Sequence, residues 1–131
     1  MASKIQAPNW STKIILIAED EESNFRYLEL VLAKTNATVL WAEDGVQAIE
    51  ICKQQQPDLI LMDIKMPNMD GLEATREIKR LYPEIPIIAQ TAYAMENDEY
   101  MSLEAGCNSY LAKPIKANKL LDTLSNFLIG E

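Results

Sequence analysis

The sequence predicts an α/β domain built on one five-stranded parallel sheet with helices on both faces. Three observations predict it. Five short apolar runs of strand length alternate with five longer segments of helical periodicity. The runs are apolar throughout rather than alternating, as in strands buried on both sides. A chain of 131 residues with 48% apolar content supplies one core, not two.

The elements follow in order. Lys13 to Ala18 is the first strand. Asn24 to Lys34 is a helix with Phe25, Leu28, Val31 and Leu32 at core spacing and Ser23 as its N-cap. Thr38 to Ala42 is the second strand, and Gly45 to Gln54 a helix with Val46, Ile49 and Ile51 apolar. Leu59 to Asp63 is the third strand. Leu72 to Tyr82 is a helix turning Leu72, Ile78 and Leu81 inward. Ile85 to Ala89 is the fourth strand. Met95 to Ala105 is a helix stopped by Gly106, whose backbone freedom suits a C-terminal cap. Ser109 to Ala112 is a short fifth strand. Lys116 to Leu128 is the last helix, with Leu120, Leu121, Leu124 and Phe127 at core spacing. Residues 1–11 read as a linker or N-terminal extension and 12–131 as the domain. Trp10 and Trp41 read as linker and packing residues.

Composition excludes several function classes. A net charge of −8 argues against direct nucleic-acid binding, which needs clustered Lys and Arg. No apolar run approaches the roughly 20 residues that span a bilayer, so no membrane contact is expected. The first ten residues lack the apolar stretch of a secretory signal. Cys52 and Cys107 have no metal-ligand spacing and read as buried thiols of a reducing, cytoplasmic compartment. With no histidine in the chain, Ser-His-Asp and Cys-His nucleophiles and His-ligated zinc are excluded. Nor is this chain itself a phosphohistidine donor.

In open parallel sheets the functional groups stand at the carboxyl ends of the strands. Glu19, Asp20, Glu21 and Glu22 follow the first strand here; Asp63 closes the third. Gln90, Thr91 and Ala92 follow the fourth; Lys113 and Pro114 follow the fifth. If the first and third strands are neighbours, Glu19, Asp20 and Asp63 share one acidic pocket. A divalent cation relieves their repulsion, and oxygen-only donors favour Mg²⁺ over zinc or copper. Lys113 adds a compact positive charge and Thr91 a hydroxyl donor, both suited to phosphoryl oxygens. The set describes phosphoryl transfer to a carboxylate, in which positioning and charge stabilisation do most of the work. Alone, Asp63 reads as a solvated strand-end carboxylate. Glu21 and Glu22 read as a solvated charge run, and Asp70 as a turn residue with Gly71.

From Lys13 to Phe127 the chain resembles a response regulator receiver domain of two-component signalling. The motifs that carry the resemblance are Glu19-Asp20, the run from Asp63 through Met66-Pro67 to Asp70-Gly71, Thr91-Ala92 and Lys113-Pro114. The resemblance implies a flavodoxin-like fold with strand order 2-1-3-4-5. It implies Asp63 as phosphoacceptor and Asp20 as a direct Mg²⁺ ligand, with Glu19 acting largely through water. The Lys65 backbone carbonyl would be the remaining ligand. Thr91 would be the switch hydroxyl, Lys113 the ion-pair partner of the phosphoryl group, and Tyr110 the switch aromatic that turns inward. Ala92 matches the position kept small beside the phosphoryl group. Lys65 and Tyr93 occupy the positions that tune phosphoryl lifetime, and a bulky Tyr93 is expected to shield the group and prolong it.

The implied partner is a histidine kinase or a histidine phosphotransfer protein. A phosphorylation-dependent dimer is expected through the face of the fourth helix, fifth strand and fifth helix. The domain assists its own phosphorylation and dephosphorylation, while kinase activity lies in a partner or in the rest of a hybrid kinase. The stretches Thr91 to Met95 and Leu111 to Ile115 resemble receivers of hybrid sensor kinases. Residues 4–10 would then be a linker from such a parent; with no DNA-binding or enzymatic domain following Glu131 in this sequence, a stand-alone receiver is the other reading. Two enzyme classes with related sites fit less well. A flavin-binding module needs a Ser/Thr/Gly-rich phosphate loop where this chain has Glu19-Asp20-Glu21-Glu22. A haloacid dehalogenase-type phosphohydrolase needs a second Asp where this chain has Lys65. A receiver-like interaction scaffold that acts without phosphorylation is the remaining alternative.

Overall fold

The computed structural model describes residues 7–92 and 96–128. Its elements are β1 (Ile14–Ala18), α1 (Glu22–Ala33), β2 (Thr38–Ala42), α2 (Gly45–Gln54), β3 (Leu59–Asp63), α3 (Gly71–Leu81), β4 (Ile87–Thr91), α4 (Glu96–Ala105), β5 (Ser109–Ala112) and α5 (Ala117–Ser125). The five strands pair in parallel in the order β2-β1-β3-β4-β5. This is the flavodoxin-like order that the receiver resemblance implies.

Side chains alternate across the sheet and divide the core in two. Ile15, Ile17, Leu59, Leu61, Ile88 and Leu111 face α1 and α5. Leu16, Ala18, Ile60, Met62, Ile87 and Ala89 face α2 and α3. α4 packs on α3 and β5 at the far edge of that second layer. The predicted core residues of α1 (Phe25, Leu28, Val31 and Leu32) are all buried. On α3 the seat is narrower than the sequence suggests. Ala74, Thr75 and Ile78 are buried, whereas Leu72 and Leu81 are half-buried. Val46 of α2 is exposed. Among the described residues, no helix is long and apolar enough to cross a membrane.

Several boundaries differ from expectation, with α5 ending at Ser125 rather than Leu128, and two of the differences have clear local reasons. The fourth strand runs two residues later, from Ile87 to Thr91. Pro86 has no N–H to donate, and the Ile85 N–H closes a turn onto the Tyr82 carbonyl instead. Gln90 and Thr91 are therefore strand residues, in register with Asp63 and Ala112. The first helix begins at Glu22, so its N-cap is Glu21, not Ser23, and no side chain caps it. The Gly106 stop is as expected. At φ 119° it lets Cys107 N–H reach Ser102 O and Gly106 N–H reach Leu103 O, which satisfies the last carbonyls of α4. Trp10 is buried in the α1/α5 core, with its N–H on the Thr35 carbonyl at 2.7 Å. Both cysteines are buried free thiols.

Candidate functional site

Strand parity gathers the charged groups. Glu19, Asp63 and Lys113 each fall two residues after an inward-facing apolar residue of the α1/α5 layer, namely Ile17, Leu61 and Leu111. They emerge together at the carboxyl edge of the sheet, Glu19 after β1, Asp63 at the end of β3 and Lys113 after β5, with β4 between the last two. Lys113 Nζ stands 3.2 Å from Asp63 Oδ2 and 3.2 Å from Glu19 Oε1. The carboxylates of Glu19, Asp20 and Asp63 offer oxygens that all lie within 4.8 Å of one another. Glu19 is wholly buried and Asp63 nearly so, whereas Asp20 is exposed at the rim.

The buried carboxylates are held by donors. Glu19 Oε1 also accepts from Asn24 Nδ2 at 2.5 Å, and its Oε2 accepts from the Glu21 N–H at 3.1 Å. Asn24 Nδ2 reaches Gln90 Oε1 at 3.4 Å, while Gln90 Nε2 is buried with no hydrogen-bond partner among the described residues. The Trp41 indole N–H donates to the Glu19 carbonyl at 2.8 Å, and its ring stacks on Phe25 at 4.2 Å. The Lys65 N–H donates to Asp63 Oδ1 at 3.2 Å. The loop from Ile64 to Asp70 is pinned at both ends. Asp44, the N-cap of α2, accepts from Asn68 Nδ2 at 2.7 Å, and Gly71 N–H donates to Ile64 O at 3.1 Å. Asp70, expected as a turn residue with Gly71, is the N-cap of α3 and accepts from the Glu73 N–H at 2.9 Å.

Electrostatics follow from this crowding. Burial, and then the Glu19 charge, push the Asp63 carboxyl up to about 6 against the pull of Lys113 and the Lys65 N–H. Burial alone would lower the Lys113 ammonium, but Asp63 and Glu19 outweigh it and hold it above its ordinary value. Three carboxylates sharing one ammonium, with no nitrogen or thiolate donor among them, suit a hard divalent cation such as Mg²⁺. The cleft above them, about 570 Å³, is lined by Asp20, Ile64, Lys65, Met66 and, from α4, Asp98 and Met101.

Thr91 lies on the opposite parity. It is fully buried on the α4 side, where its Oγ1 donates to Asp98 Oδ2 at 2.8 Å. Tyr110 is half-buried on β5 and packs on the α2/α3 layer; Ala92 is exposed. Lys65 is exposed at the cleft. Tyr93, expected to shield the phosphoryl group, lies outside the described residues. The sequence reading did not single out Asn24 or Asp98. Asn24 carried a signal, because with Leu28 and Leu32 it forms an i, i+4, i+8 stripe that is otherwise buried. Asp98 carried a weaker one. It sits four residues before the buried Ser102, on a helix without a continuous apolar stripe.

Comparison with known proteins agrees with this geometry. The family model for the response regulator receiver domain matches residues 15–125. The polar-differentiation response regulator DivK of Brucella ovis is 34% identical over 119 residues, covering 89% of this chain and 97% of DivK. The receiver domain of sensor histidine kinase PA1611 from Pseudomonas aeruginosa PAO1 is 38% identical, with a TM-score of 0.84 over 90% of this chain and 98% of that one. That structure holds a magnesium ion in its active-site cleft. The receiver domain of Saccharomyces cerevisiae Ssk1, solved with the histidine phosphotransfer protein Ypd1, is 27% identical with a TM-score of 0.83, covering 95% of this chain and 91% of that one. The chain belongs to the response regulator receiver domain family.

Proposed function

We propose that the chain is a phosphoacceptor switch in which Asp63 takes a phosphoryl group from a phosphohistidine of a histidine kinase or histidine phosphotransfer protein. The observation that carries this reading is the Asp63 carboxylate at the end of β3, 3.2 Å from Lys113 and clustered with Glu19 and Asp20. An oxygen of Asp63 attacks phosphorus, the new O–P bond forms as the P–N bond breaks, and the electron pair leaves with the partner imidazole. Lys113 neutralises phosphoryl oxygens. The Lys65 and Glu21 N–H groups hold the Asp63 and Glu19 carboxylates in place. Mg²⁺ would be held by Asp20, Asp63 and the Lys65 carbonyl, with Glu19 through water, and when bound it supplies charge neutralisation between carboxylates and phosphoryl group.

The acyl phosphate carries roughly −1.5 to −2 charges where the Asp63 carboxylate carried at most one, so the cleft becomes more negative. Thr91 and Lys113 engage it and Tyr110 turns inward, so that α4, β5 and α5 change their outer face. That two-state change regulates output and favours a dimer through the same face. Water later removes the group. The decisive test is intact mass after incubation with acetyl phosphate and Mg²⁺. One phosphoryl group should be gained, and the gain lost in Asp63→Asn or with chelator. No gain, with Mg²⁺ binding retained, would instead favour an interaction scaffold. Sedimentation with beryllium fluoride should show the dimer; a monomer at all concentrations would remove that part of the reading.

A further inference from the structure

We propose that Asp98 is a positioning residue that latches Thr91 away from Asp63 in the unphosphorylated chain, so that phosphorylation must win the Thr91 hydroxyl from α4. The inference deepens the phosphoacceptor reading and rests on it. Four observations carry it. Thr91 Oγ1 donates to Asp98 Oδ2 at 2.8 Å. Thr91 is fully buried, so water cannot replace that acceptor without the chain opening. Asp98 is itself braced, because the buried Ser102 hydroxyl donates to its backbone carbonyl at 2.8 Å. And Thr91 follows Ile87 and Ala89 in facing the α4 side of the sheet, whereas Asp63 and Lys113 follow the α1/α5 side.

A hydroxyl has one proton to donate. Thr91 cannot donate to Asp98 and to a phosphoryl oxygen at once, so the two anions compete for it. Donation to an ionised acceptor is the stronger kind of hydrogen bond, which makes Asp98 a serious competitor. Asp98 also lines the cleft beside Asp20 and Lys65, so a phosphoryl group arriving there repels it. Loss of the hydrogen bond and repulsion act in the same direction: both release the start of α4. Asp98 thus couples events at Asp63 to the helix that carries the expected output face.

The test is a double-mutant cycle with beryllium fluoride and Mg²⁺ as the probe. Trp41 fluorescence is the readout, because its indole donates to the Glu19 carbonyl at the site. Asp98→Ala should lower the half-saturating beryllium fluoride concentration about tenfold in the chain with Thr91. In a Thr91→Val background the same change should give less than about twofold, because no hydroxyl is left to release. An equal gain in both backgrounds would mean that removal of a nearby charge is the whole effect and would overturn the latch. No gain in either would overturn it too. A second measurement needs no phosphoryl analogue. Amide exchange across residues 96–105 should rise in Asp98→Ala and in Thr91→Val, and the double variant should add nothing further; independent rises would count against the latch. If the chain takes up a phosphoryl group from acetyl phosphate but the cycle shows no coupling, the latch alone fails. If the chain takes up none, the phosphoacceptor reading fails and the latch falls with it.

Discussion

Asp63 is placed where its charge is least welcome. It is nearly buried, beside Glu19, and its carboxyl titrates near 6 rather than near 4. The folded chain holds that proton more tightly than the unfolded chain does. Folding is therefore favoured at acid pH, and this share of stability is lost as pH rises from about 4 through about 6. Asp63→Asn removes the penalty. In Mg²⁺-free buffer at pH 7 the variant should be more stable by roughly 1–3 kcal/mol, with the gain shrinking as pH falls towards 4. Urea midpoints across that range check it; a gain that does not vary with pH would refute the repulsion. The neighbouring Glu19 carboxylate is held by three donors: Lys113 Nζ, Asn24 Nδ2 and the Glu21 N–H.

The turns that follow the strands do as much as the strands. Gly71, first residue of α3, packs so closely under the end of β3 that an added Cβ would meet the Asp63 carbonyl and, at 2.8 Å, the Ile64 Cα. Backbone cannot step aside as a flexible side chain can. Gly71→Ala should cost about 1–3 kcal/mol and weaken phosphoryl uptake by displacing Asp63. Denaturant midpoint and uptake from acetyl phosphate should fall together, and an unchanged midpoint would contradict the close approach. On α1 the outward face carries Tyr27 and Leu30, 40% and 69% exposed. The Tyr27 hydroxyl donates to the Ile115 carbonyl at 2.6 Å, which joins α1 to the loop beyond Lys113 at the rim of the site. Under the proposed function, this rim is the surface that we expect a phosphohistidine partner to meet. Leu30→Asp should leave the fold within about 0.5 kcal/mol of the parent. It should slow transfer from a phosphohistidine donor about tenfold, and leave acetyl phosphate uptake unchanged. Equal slowing with both donors would place the defect in the site rather than in docking.

At the scale of the molecule, a parallel sheet buried on both faces supplies the rigid frame, and the acidic edge is its cost. A ligand that binds only the folded form recovers that cost by mass action. Mg²⁺ at ten times its Kd should stabilise the chain by about 1.4 kcal/mol, a rise of roughly 4 °C in Tm. Chelator should abolish the rise, and Asp20→Asn should reduce it. A thermal scan that shows the same rise with Ca²⁺ and with Mg²⁺ in Asp20→Asn would argue for surface screening of the −8 net charge instead.

Sequence by itself determined the fold class, the order of the elements and which charged residues gather at the candidate site. Apolar runs and helical stripes are local patterns, and the receiver motifs stand at strand ends where a short read along the chain finds them. Glu19, Asp20, Asp63 and Lys113 do converge. Tertiary structure decided what depends on packing between distant segments. The start of β4 was set by the N–H that Pro86 lacks and by the turn that takes the Ile85 N–H, and pairing with β5 made Thr91 a buried strand residue. The Asn24 amide meets Glu19 only because α1 lies across β1 and β3, and Thr91 meets Asp98 only because α4 closes the far edge of the sheet. Such pairs have no signature in spacing. Each side chain alone reads as an ordinary polar residue on a helix, and only the layer that covers it turns it into a partner.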